Sequence, residues 1–148
     1  MKIYLDACCI NRPFDDQSQA RIRLEAESVL LILRRFEMKE WTWYGSTVLN
    51  YELNQIPDAE RRQRVRLLIR QVDAVVAPDS RIAARAQQLE MLGFKAFDAL
   101  HAACAEKAGV DVLLTTDDRF LRLAERFSDQ VRIRIENPLI WLNEVMRK

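Results

Sequence analysis

The chain has 148 residues, 49% hydrophobic and 30% charged, with a formal net charge of +1. That balance suits one soluble domain over residues 1–148, large enough for a real core, and no apolar run approaches the roughly 20 residues of a membrane span. A near-neutral balance excludes a uniformly basic surface, so any nucleic-acid contact has to be local.

The rare residues exclude more. Cys8 and Cys9 are adjacent and Cys104 is distant, a poor set for disulfides. With a single histidine, His101, a zinc site is not expected, and a bound metal would be oxygen-ligated, Mg²⁺ or Mn²⁺. Gly45, Gly93 and Gly109 are scattered, so no glycine-rich phosphate loop exists. Lys2 leads into a short strand-like run that ends at Asp6, unlike a signal peptide, which predicts a cytoplasmic protein.

Residues 2–6 read as a buried strand, followed by a turn-rich loop, Asn11-Arg12-Pro13-Phe14-Asp15-Asp16. Apolar spacing predicts a long helix over 19–38. Trp41 to Tyr44 reads as a second strand flanked by Gly45, with both tryptophans in the core. A short helix over 47–54 carries Glu52. Pro57 opens an arginine-rich helix to about residue 72, with Asp58 and Glu60 at its positive end. Residues 74–77 form a third strand closed by Pro78, and helices follow at about 79–91 and 95–108. A fourth strand over 111–115 leads to a helix over 117–127, a fifth strand over 131–135 and a last helix over 138–147. This alternation predicts an α/β fold with a parallel sheet of about five strands, covered by helices on both faces. Sites in such sheets form beyond the carboxyl ends of the strands.

Four acids fall at or near apolar segments: Asp6, Glu52, Asp98 and Asp117. Buried carboxylates are costly unless something positive meets them. A divalent cation is the common answer, and with it metal-dependent phosphodiester chemistry. Each acid has an ordinary alternative use: Asp6 in a turn, Glu52 on a helix surface, Asp98 as a cap or ion-pair partner, Asp117 and Asp118 at a helix N-terminus. Thr115 precedes Asp117 by two residues, so both side chains leave the strand on one side, and its hydroxyl is placed to orient that carboxylate.

Taken in order, Leu5-Asp6, Tyr51-Glu52-Leu53, Phe97-Asp98-Ala99-Leu100-His101-Ala102-Ala103 and Leu113-Leu114-Thr115-Thr116-Asp117-Asp118-Arg119-Phe120 resemble the PIN domain. The resemblance spans essentially the whole chain. Ala7 and Cys8 stand where members often carry Thr or Ser. The resemblance implies a Mg²⁺- or Mn²⁺-dependent nuclease acting on RNA, of the kind that forms the toxin half of VapBC toxin–antitoxin pairs. It further implies that Asp6, Glu52, Asp98 and Asp117 bind the metal, with Asp118 as an additional ligand. A small antitoxin partner and a homodimer are implied on the same ground. The chemistry agrees: crowded carboxylates repel, and a cation relieves that repulsion.

Arg12 and Arg119 follow the first and last acids and are candidates for substrate phosphate contact, or for internal pairs with Asp15 or Asp118. Arg62, Arg66 and Arg70 recur every four residues, as an RNA-facing stripe or a solvated or partner-facing surface. His101 lies one turn after Asp98, as a general base or as a packed, hydrogen-bonded residue. Two rival readings are a PIN fold used as a non-catalytic protein-binding module and a phosphoacceptor receiver domain. A receiver carries paired acids after its first strand and a lysine after its last. Here Leu5-Asp6-Ala7 and Glu136-Asn137-Pro138 supply neither.

Overall fold

A computed structural model describes residues 1–148. Five strands alternate with eight α-helices: β1 (Lys2–Leu5), α1 (Ala7–Asn11), α2 (Ala20–Glu37), β2 (Thr42–Ser46), α3 (Thr47–Asn54), α4 (Ala59–Ile69), β3 (Ala74–Val76), α5 (Ser80–Met91), α6 (Ala96–Ala108), β4 (Val112–Leu114), α7 (Asp118–Arg126), β5 (Arg134–Glu136) and α8 (Pro138–Met146). The strands form one sheet in the order β3-β2-β1-β4-β5. Every pairing is parallel.

The sheet buries both faces, as continuous apolar strands require. Ile3, Leu5, Trp43, Val112 and Leu114 face a core shared with α1, α2 and α8, where Val29, Ile32, Phe36 and Trp141 pack. The alternate residues Tyr4 and Leu113 face a second core with α5, α6 and α7. Five of the six residues from Ala99 to Cys104 are buried alongside it, and small alanines let α6 lie close to the sheet. Phe36 stacks on Trp43 at 5.1 Å between ring centroids, and Trp41 meets Trp141 edge-on at 5.2 Å.

Three local expectations are corrected. Residues 7–11 form a helix, and the expected loop at residue 12 is a 3-10 turn over Arg12–Phe14. Five helical residues are too few for periodicity to show. The last strand is Arg134–Glu136, later than the expected 131–135. Val131 and Ile133 are apolar because they pack on the second core, while only 134–136 pair with β4. Gly45 lies inside β2 and does not merely flank it. A Cβ there would meet Val72 Cγ1 at 3.3 Å, so the bare backbone lets the end of α4 close against the strand.

The order of strands positions everything that follows. From β1 the chain builds β2 and β3 to one side, then crosses back to place β4 and β5 on the other. The carboxyl ends of β1 and β4 therefore flank a topological switch point, where parallel sheets open a crevice. Asp6 leaves one of these ends and Thr115 to Asp117 leave the other.

Candidate metal centre

Asp6 stands in an extended conformation at the end of β1 and caps α1, its Oδ1 accepting from the Ala7 amide at 2.8 Å. It is 5% exposed. The Thr115 hydroxyl donates to Asp6 Oδ2 at 2.8 Å, and the Cys8 thiol lies 3.3 Å from the same oxygen. Cys8 Sγ also sits 3.2 Å from Thr115 Oγ1 and accepts from the Thr116 amide at 3.3 Å. The carboxylate is thus held from both sides by donors across the β1–β4 seam. A thiol occupies the place near Asp6 where a hydroxyl is common in the resembling family.

This corrects the part expected of Thr115. Its hydroxyl supports Asp6, and towards Asp117 it offers only acceptance from the backbone amide, at 3.2 Å. The Asp117 carboxylate is turned to the start of α7, where Oδ1 accepts from the amides of Arg119 (2.9 Å) and Phe120 (3.2 Å). An N-cap aspartate satisfies amides that have no partner within the helix.

Ser46 caps α3 by accepting from the Leu49 amide at 3.0 Å, and α3 carries Glu52 back over the same edge. Glu52 Oε1 lies 2.8 Å from His101 Nε2 on α6. His101 is fully buried, and its Nε2 is 3.7 Å from Asp6 Oδ1. Oxygen and nitrogen atoms of Asp6, Glu52 and His101 all fall within 4.8 Å of one another. Asp98, half-buried in the first turn of α6, and Asp117 stand outside this three-residue group. The Asp98 carboxyl is pushed up to about 7, first by burial, then by the charges of Asp6, Asp117 and Glu52, with His101 opposing. Asp98 therefore lies in the field of the other three expected acids. His101 is itself held above its ordinary value: burial works against its charge, and the Glu52 hydrogen bond with the charges of Asp6, Glu52 and Asp98 outweighs it.

The donor set fits a hard divalent cation. Asp6 and Glu52 bring carboxylate oxygens together, and Asp98 lies near enough to feel their charge, the oxygen-rich lining that such a cation takes.

Other expected site residues lie elsewhere. Asp118 is exposed and pairs bidentately with Arg21 on α2, at 2.7 and 2.9 Å. The arginine holds its carboxyl below the usual range. Arg12 reaches Glu25 at 3.0 Å and Asp15 at 3.1 Å, its expected internal use extended to a second acid. Arg119 donates to the Gly93 carbonyl at 3.0 Å. In the arginine-rich helix, Arg62 donates to the Ile56 carbonyl and Arg66 to Asn54. Sequence reasoning did not anticipate Cys8 as a support of Asp6, nor the Tyr4–Ser46–His101 cluster behind Glu52. The one legible signal was Tyr4, a polar-tipped residue in the middle of a buried strand.

A five-stranded all-parallel sheet with acids gathered at its switch point defines a class of α/β protein. The chain belongs to the PIN domain family, whose model matches residues 3–126. No curated protein matches the sequence. Among solved structures it is similar to VapBC-1 from nontypeable Haemophilus influenzae, with a TM-score of 0.61 at 19% identity, covering 93% of this chain and 98% of that one. It is also similar to VapBC2 from Rickettsia felis bound to a DNA fragment from its promoter (TM-score 0.57, 15% identity, 93% and 98% covered). DNA-bound VapBC from Salmonella typhimurium gives a TM-score of 0.56 at 20% identity, with the same coverage. At these identities the likeness is one of fold. No helix is long and apolar enough to cross a membrane.

Proposed function

We propose that this protein is a Mg²⁺- or Mn²⁺-dependent endoribonuclease of the VapC type, working in the cytoplasm as one domain over residues 1–148. The observation that carries the reading is the meeting of Asp6 and Glu52 with His101 within 4.8 Å at the sheet edge, beside Asp98, whose carboxyl burial and then the charges of Asp6, Asp117 and Glu52 push up to about 7. Membership of the PIN domain family supports it.

Asp6 is the most rigid of the four, because hydroxyl, thiol and amide donors fix it. Glu52, Asp98 and Asp117 would complete the ligand set, and Asp118, committed to Arg21, would stay outside it. When bound, the metal supplies positive charge for the phosphoryl oxygens and lowers the pKa of a water. A carboxylate of the cluster not taken up as a ligand is placed to accept a proton from the attacking water. Arg119, exposed at the start of α7, is the cation best placed to meet a substrate phosphate.

The partner reading follows the same line. The similar structures are VapBC complexes, which supports a small antitoxin for this chain; a homodimeric toxin is proposed on the family resemblance alone. A PIN fold serving only as a protein-binding module is the alternative. All four acids being present favours the enzyme.

Purified protein, freed of any co-purifying partner, should cut a mixed structured RNA pool with Mn²⁺ or Mg²⁺ and not with EDTA. Asp98→Asn should remove the cuts while leaving the fold intact. Absence of cleavage together with no metal-induced rise in melting temperature would favour the binding module. Full activity in Asp98→Asn would mean that the site is misassigned.

A further inference from the structure

The acid Glu52 is held by a chain of hydrogen bonds that starts and ends on its own helix. The Leu49 amide donates to Ser46 Oγ at 3.0 Å. Ser46 Oγ lies 2.7 Å from the Tyr4 hydroxyl, and that hydroxyl lies 2.6 Å from His101 Nδ1. His101 Nε2 reaches Glu52 Oε1 at 2.8 Å. Ser46, Tyr4 and His101 are all at 0% exposure. The chain crosses from α3 through the end of β2 and β1 to α6 and back to α3. It joins four separate elements beneath one carboxylate.

We propose that His101 is a positioning residue for Glu52, and not a metal ligand, and that Tyr4 and Ser46 lock its ring. This rests on the reading of Glu52 as part of the metal site. With its proton on Nε2 the ring donates to Glu52 Oε1 and Nδ1 accepts from the Tyr4 hydroxyl, the tautomer that gives every polar atom of the chain a partner. A nitrogen that carries a proton has no lone pair for a cation. Its closeness to Asp6 and Glu52 therefore makes it a brace between two acids, its N–H end directed at the negative charge. Burial of Tyr4 and Ser46 leaves the imidazole no other partner for Nδ1, which fixes the ring plane. Glu52 has three rotatable side-chain bonds on a short, partly exposed helix. With Oε1 pinned, Oε2 accepts no hydrogen bond from the protein and is left for the cleft.

The test is titration of Mn²⁺ into the full-length protein by calorimetry, with melting of the metal-free protein and RNA cleavage measured alongside. His101→Leu removes the donor and should weaken Mn²⁺ binding about 10–100-fold, the usual cost of losing a group that orients a ligand. His101→Gln retains an N–H able to reach Glu52 and should recover most of the affinity. Tyr4→Phe should give a smaller loss, because the ring stays and only its orientation is freed. If His101→Leu melts early because the buried Tyr4 hydroxyl keeps only Ser46 as a partner, the Tyr4→Phe/His101→Leu double variant removes both polar groups and carries the same expectation. Wild-type Mn²⁺ affinity in the folded leucine variant would overturn the proposal. Equal and near-complete loss of binding in the leucine and glutamine variants would overturn it too, by making Nε2 a direct ligand. Wild-type protein that binds Mn²⁺ but cuts no RNA would count against the ribonuclease reading alone, and the Mn²⁺ series would still decide the role of His101.

Discussion

At the residue scale the acids differ in how much their surroundings help them. Asp6 has three donors and Asp117 has two amides, whereas Asp98 has burial and like charge, which push its carboxyl up to about 7. The sign of the consequence is definite. Between about pH 4, where an unfolded aspartate titrates, and pH 7 the folded protein holds a proton that the unfolded chain has lost, so stability falls as pH rises. His101, held high, contributes stability at low pH that is also lost on the way up. In EDTA, Asp98→Asn should therefore be more stable than wild type at pH 8, with the gap closing below about pH 4. Urea midpoints at the two pH values measure this, and a variant less stable than wild type at pH 8 would contradict it. A second residue matters for the opposite reason. Glu25, 1% exposed, accepts from Arg12, Arg21 and Asn137 at 3.0, 3.2 and 2.6 Å. Glu25→Ala leaves Arg12 with Asp15 and Arg21 with Asp118 but strips Asn137 Nδ2 of its partner, and should cost about 1–3 kcal/mol in the same urea titrations.

At the element scale, helix starts serve two purposes at once. Asp6 begins α1 and Asp117 begins α7, each capping amides with one oxygen. Capping and cation binding can be separated at α7, because asparagine caps about as well as aspartate. Asp117→Asn should keep stability within about 0.5 kcal/mol and still lose cleavage, whereas Asp117→Ala should lose cleavage and about 1 kcal/mol besides. Thermal melts with an activity assay decide between them, and equal melting of the two variants would show that the cap contributes nothing. At its other end α6 stops at Gly109, whose φ of +67° is the left-handed conformation that closes helices. That stop directs the chain down into β4 and fixes where Thr115 emerges.

At the scale of the whole molecule, the sheet brings β1 and β4 side by side, and with them Asp6 and Asp117 at their carboxyl ends. A cation that binds this edge should stabilise the fold by mass action, about 2.7 kcal/mol at a hundred times its Kd. Adding Mn²⁺ or Mg²⁺ at pH 7.5 should raise the melting temperature, EDTA should reverse it, and Asp98→Asn should blunt the rise. Calcium-free melts across a metal series measure it, and a flat series would mean that the four acids do not form a cation site.

The alternation of apolar segments was enough to establish the parallel α/β class, because a doubly covered strand has to be apolar along its length and a covering helix has to show one apolar face. Ile3 to Leu5 and Val112 to Leu114 carried that signal plainly. The order of Asp6, Glu52, Asp98 and Asp117 was equally legible, since carboxylates next to buried segments stand out against their surroundings. What the linear chain could not express were partners far apart in sequence. Thr115 meets Asp6 across 109 residues, Asp118 is taken by Arg21 across 97, and His101 meets Tyr4 across 97 and Glu52 across 49. A side chain's apolar neighbours follow from periodicity, which is local. The hydrogen-bond partner of a buried polar group depends on which elements the topology sets side by side. Only the tertiary structure decided that Cys8 and Thr115 hold Asp6, and that His101 stands behind Glu52.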